Sequence, residues 1–92
     1  MTGESGEPFE IDWAPPAKRA LRRLPERVAT AVVEFVYGPL ASNPNQVGRP
    51  LRVELEGAYS AHRGDYRVVY RIDEQSRRVL AIGHRADIYR RP

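Results

Sequence analysis

The ten residues GDYRVVYRID alternate without a break: Tyr66, Val68, Tyr70 and Ile72 fall on one side, Arg67, Val69 and Arg71 on the other. Side chains of an extended chain point to opposite faces in turn, so this spacing predicts a strand with an apolar face toward a core and an arginine-bearing face turned away from it. A second apolar run, RVLAIGHR, follows after only a few residues. In it Leu80 and Ile82 share a row with His84, while Val79, Ala81, Gly83 and Arg85 form the other. With Leu80 and Ile82 toward the core, Arg85 is expected on the outer face beside Arg67. The turns at 63–65 and 73–76 are short enough to join neighbouring strands as antiparallel hairpins.

Upstream the period changes. Phe9, Ile11 and Trp13 alternate with Glu10 and Asp12, the pattern of a half-buried strand, with Trp13 expected in the core. Pro15-Pro16 suits the first turn of a helix, where the missing amide hydrogens cost nothing. Ala17, Ala20, Leu21 and Leu24 then recur at helical spacing, leaving Lys18, Arg19, Arg22 and Arg23 on the wet side. Pro25 interrupts this helix and can open the next, whose apolar stripe is Val28, Val32, Phe35 and Val36. Gly38-Pro39 and the polar stretch 42–50 are expected to end it as a loop. Strand candidates follow within 51–63, kinked or interrupted at Gly57, then at 66–73 and 78–85.

The expected fold class is therefore α+β: an N-terminal strand, a two-helix hairpin and an antiparallel β-meander. Helices covering one face of such a sheet leave the other open. That open face is expected to carry Arg67, Arg71 and Arg85, with Ser60 and His62 nearby. With 92 residues, no repeat and no composition break, 1–92 reads as one domain, of which 1–7 is a flexible polar leader.

Composition narrows the chemistry. There is no cysteine, which removes disulfide scaffolds, thiol catalysis and the usual zinc-ribbon sites. No apolar run approaches the roughly 20 residues that cross a bilayer, and the polar start MTGESGEP lacks the order of a signal peptide. A cytoplasmic protein with no membrane partner is the expectation. Of 15 basic residues 14 are arginine, Lys18 being the exception, and from Arg49 onward 10 arginines face 6 acids. The positive charge thus concentrates with the strands, and arginine grips phosphate with a planar fork, so a polyanion is the favoured ligand.

The order and spacing of several pieces resemble one family. The motif GAY followed by GDYRVVYRI, with HRADIYR at the end, is similar to the RelE/ParE toxins of bacterial type II toxin–antitoxin pairs, and more so to the RelE branch. A first strand, two helices separated by Leu24-Pro25, and NPNQVGRPL before LEGAY extend the likeness over nearly the whole chain. The resemblance implies a compact microbial-RNase-type fold and a ribosome-dependent messenger-RNA endonuclease. It implies as partners a RelB-like antitoxin with an acidic amphipathic helix, and a ribosome carrying mRNA in its A site. The alternative within the same fold is a ParE-like inhibitor of DNA gyrase; a basic binding module with no target enzyme is a third reading.

The resemblance also supplies site residues, placed on the open face and on the tail after the last strand. Arg67 matches the arginine of the family's tyrosine-arginine strand, Arg85 that of its histidine-arginine tail, and Tyr89 the tail tyrosine. RNA can be cut with no metal or cofactor when its own 2′-hydroxyl attacks the adjacent phosphate, provided that protons are moved and the phosphorane's charge is stabilised. Arg67 and Arg85 suit the second task, since guanidinium stays charged at cellular pH. Tyr89 could stack on a base or exchange a proton. Where many relatives carry basic residues two apart just after the GAY motif, this chain has Ser60 and His62, with Arg63 one step on. Either His62 has taken over proton transfer, for which imidazole is well suited, or Arg63 reaches around. Catalytic candidates are accordingly Arg67, Arg85, Tyr89 and His62; candidate RNA-binding residues are Arg63, Arg71, Ser60 and Arg90.

Overall fold

The computed structural model describes residues 10–51, 57–73 and 76–84. Strand β1 (Glu10–Trp13) leads through Ala14 into helix α1 (Pro15–Arg23), which begins on the two prolines. Leu24 leaves the helix in an extended conformation and Pro25 caps helix α2 (Glu26–Phe35), its carbonyl accepting the Ala29 amide at 2.8 Å. The helix does not stop at Gly38-Pro39 as the sequence suggests. It widens into a π-helical segment, Val36–Leu40, and the chain stays helical through Ser42. Pro39 has no N–H and its ring crowds the preceding turn, and a wider turn accommodates both.

Residues 44–50 are likewise not a plain loop. Pro44–Val47 forms a single turn, α3, and Gly48–Pro50 forms a short strand, β2. Strands β3 (Tyr59–Arg63), β4 (Tyr66–Ile72) and β5 (Ser76–His84) make the expected meander. Gly64, with φ 65, supplies the left-handed conformation in the tight β3–β4 connection. The sheet order is β1-β5-β4-β3-β2; β1 runs parallel to β5, and the other pairs are antiparallel.

One face of this sheet carries the core. Ala17 of α1, Val32 of α2, and Val36 and Leu40 of the π-helical segment pack with Ala61, Val68, Tyr70, Val79 and Ile82 of the strands. Trp13 packs at the margin of this cluster, half-buried, and its indole N–H donates to the hydroxyl of exposed Tyr37 at 3.1 Å. Among the described residues no helix is long and apolar enough to cross a membrane.

Simple alternation fails in β5. Val69 faces Ala81 but Tyr70 faces Val79, so Leu80 is a bulge residue and the two rows exchange faces there. Val79 lies fully buried in the core, where the sequence placed Leu80, and Leu80 is only half-buried. Ile82 is in the core as expected. Beyond the bulge Ala81 and Gly83 join Val69 and Arg67 on the face opposite the described helices, where Val69 is buried.

Candidate functional site

The ladder fixes which residues share the face opposite the described helices. His62 is opposite Arg67, which is opposite Gly83; Arg49 is opposite Ser60, Ser60 opposite Val69, and Val69 opposite Ala81. Gly83 contributes no side chain beside Arg67. A hollow of about 350 Å³ lies over this corner, lined by Val47, Gly48, Arg49, Leu51, Ser60, His62 and Arg67. Three sequence candidates, Ser60, His62 and Arg67, thus meet in one concavity. Among the described residues that line it none is acidic, so its field favours an anion. Arg67 is half-buried, His62 and Arg49 are exposed, and Ser60 is buried. Among the described residues no cluster of three His, Asp or Glu side chains is placed to hold a metal ion.

The remaining candidates divide. Arg71 shares the face but sits on the next row, opposite Arg78, and its guanidinium lies close against Gly57, where a Cβ would come within 2.9 Å of Nη1. Arg63 has the opposite parity, facing Tyr66, and lines a separate, largely apolar hollow of about 340 Å³ with Arg27, Val28, Ala31, Val32, Gly64, Asp65 and Tyr66. It is therefore not brought to the hollow that holds His62. His84, on the core-side row, packs edge-on against Tyr66 with ring centroids 5.8 Å apart. Arg85, Tyr89 and Arg90 lie outside the described residues.

Two residues that sequence patterning did not single out shape the hollow. Gly48 brings β2 against β3 and Tyr70: a Cβ there would collide with the Tyr70 hydroxyl and lie 2.8 Å from the Ser60 carbonyl. Tyr70 reaches through the core to donate its hydroxyl proton to the Pro44 carbonyl at 2.6 Å and stacks on Tyr59 at 5.7 Å. Burial, reinforced by Tyr59 and partly opposed by Arg77, pushes its pKa up to about 12. Arg77, itself buried, donates to the Asp73 and Ser76 carbonyls at 3.1 and 3.2 Å, and burial lowers its pKa against the opposing pull of Tyr70. A tyrosine in a core-facing row is not by itself a signal for an anchor to a carbonyl 26 residues earlier in the chain.

Residues 11–89 match the family described as ParE toxin of type II toxin–antitoxin system, parDE. The chain belongs to the RelE/ParE toxin family. Two relatives from Mycobacterium tuberculosis carry RelE-branch names. Toxin RelE is 52% identical over 85 residues, covering 90% of this chain and 88% of that protein. Toxin RelG is 50% identical over 86 residues, covering 91% and 99%. The crystal structure of the toxin–antitoxin complex RelBE2 from the same organism superposes on this toxin with a TM-score of 0.80 at 46% identity, covering 87% of this chain and 94% of that one. The bulged meander and two-helix cover described above are thus the fold of a type II toxin, and the face opposite those helices carries His62 and Arg67 together.

Proposed function

We propose that this toxin is an endoribonuclease that cleaves mRNA on the ribosome and so stops translation. The observation that carries the reading is the hollow in which His62 stands opposite Arg67, with no acid among the described residues that line it, on a chain half identical to proteins named Toxin RelE and Toxin RelG. The reaction uses the substrate's own nucleophile. The 2′-oxygen attacks phosphorus, the P–O5′ bond breaks, and the products are a 2′,3′-cyclic phosphate and a 5′-hydroxyl. One group takes the 2′ proton and another supplies a proton to the departing 5′-oxygen. Arg67 stabilises the charge on the phosphorane, and His62 is the proton-transfer group of this hollow. Arg85 shares the load of Arg67, and Tyr89 stacks on a base or exchanges a proton, as the family resemblance implies. Ser60 and Arg71 contact the RNA backbone, with Arg90 on the tail. Because none of the described residues that line the hollow is a strong general base, the ribosome is assigned the task of holding the mRNA in line for attack.

The match to a family described by its ParE members favours a second reading, inhibition of DNA gyrase without RNA cleavage. Expression without a partner separates the two. Ribosome-dependent cleavage predicts that translation stops while plasmid supercoiling stays normal; continued translation with poisoned gyrase would establish the second reading. The cognate partner is an antitoxin with an acidic amphipathic segment that covers the arginine-bearing face. Co-purification with the neighbouring gene's product, and loss of toxicity on co-expression, test that pairing.

A further inference from the structure

We propose that Arg49 holds the RNA phosphate adjacent to the one that is cleaved, which makes the short edge strand β2 a backbone clamp. This rests on the reading of the hollow as an RNA-cleaving site and adds a second phosphate position to it. Arg49 is exposed, lines the same hollow as His62 and Arg67, and sits on the same face because it is in register with Ser60. Among the described residues its side chain makes no ion pair or hydrogen bond.

Geometry sets its task apart from that of Arg67. Strand β3 lies between β2 and β4, and Arg49 is in register with Ser60 rather than His62, so the two arginines start from backbones two strand spacings apart and two residues out of line, roughly 12 Å. That separation suits neighbouring phosphates of an extended strand better than joint attack on one. An RNA backbone offers charge at regular intervals, so arginines on two strands lining one hollow suit two of its phosphates.

The placement of Arg49 is also built in. The residue before it, Gly48, has no room for a side chain against Tyr70 and Ser60, and Tyr70 ties the preceding turn through the Pro44 carbonyl. An arginine that only keeps an edge strand solvated and unpaired with other chains would need no such support.

The test measures single-turnover cleavage against toxin concentration on mRNA-programmed ribosomes, with the mRNA carrying a neutral methylphosphonate at the phosphate on either side of the cut. For wild type, neutralising one of these phosphates should raise the half-saturating concentration about five-fold in 0.1 M salt, the loss expected for one single-strand phosphate contact. Arg49→Gln should raise it similarly on unmodified mRNA, lower the salt slope by about 0.7, and become insensitive to the methylphosphonate that affects wild type. Arg49→Lys should restore most of the affinity. If Arg49→Gln responds to both methylphosphonates as wild type does, or binds as tightly, the clamp is wrong while the cleavage reading stands. If wild type itself does not cut, the cleavage reading falls and the clamp with it.

Discussion

His62 stands directly across the β3–β4 ladder from Arg67, on the face of the sheet opposite the described helices. Directly opposed residues of antiparallel strands are about 5 Å apart at Cβ, so an imidazole and a guanidinium here can bracket one phosphate. If His62 moves the proton, His62→Ala should lower the cleavage rate by about 10²-fold or more. Single-turnover rates on mRNA-programmed ribosomes would show this. An unchanged rate would remove His62 from the mechanism.

Tyr70 couples the core to β2. A tyrosine in an unfolded chain ionises near pH 10, whereas in the folded toxin Tyr70 does so near 12. The contribution is complete below about pH 10; from about pH 10 to 12 the unfolded chain gives up a proton that the folded chain keeps, and stability falls. Tyr70→Phe should flatten that alkaline decline. At neutral pH it should cost about 1–2 kcal/mol by leaving the Pro44 carbonyl without its donor. Urea unfolding at pH 7, 9 and 11 measures both effects.

Gly48→Ala should destabilise the fold by about 1–3 kcal/mol through overpacking. The cause is steric, since φ at Gly48 is −134, which any residue adopts. The new methyl meets the Tyr70 hydroxyl and the Ser60 carbonyl. In a Tyr70→Phe background part of the clash is gone, so the two substitutions should be less than additive. Unfolding midpoints of the two single variants and the double variant provide the comparison.

Asp12 and Arg78 form an ion pair that bridges the parallel β1–β5 edge, with 54% and 39% of the side chains exposed. Exposed pairs contribute little, so Asp12→Asn should change stability by less than about 1 kcal/mol. Thermal unfolding in low and high salt checks it.

The meander was legible because its signal is local. Alternation through Tyr66–Ile72 placed Arg67 and Arg71 on the outer face and Val68 and Tyr70 in the core, and the prolines at 15, 16 and 25 marked where helices begin. Alternation could not reveal the bulge at Leu80, because a single inserted residue leaves composition unchanged and reverses every assignment upstream of it in β5. For the same reason Val79, expected in the outer row with Ala81 and Arg85, is in the core. Strand β2 was hidden because three residues, Gly-Arg-Pro, have no period, and the reason they pair lies in contacts from Tyr70 and Ser60, distant in sequence. Arg49 was hidden with it. At the site, parity alone brought Ser60, His62 and Arg67 together and assigned Arg63 to the other side. The parallel β1–β5 edge depends on closure of the whole chain and has no local mark.

The most direct measurement is mapping of RNA 5′ ends after wild-type toxin or Arg67→Ala is added to ribosomes programmed with a defined mRNA, with the same mRNA free in solution as a control. The account predicts cuts within the codon in the A site, 5′-hydroxyl ends, little cleavage of free RNA, and a rate about 10²–10³-fold lower for Arg67→Ala, the loss expected for one well-placed transition-state donor. Equal cutting by Arg67→Ala, or intact mRNA on ribosomes treated with folded wild-type toxin, would contradict it.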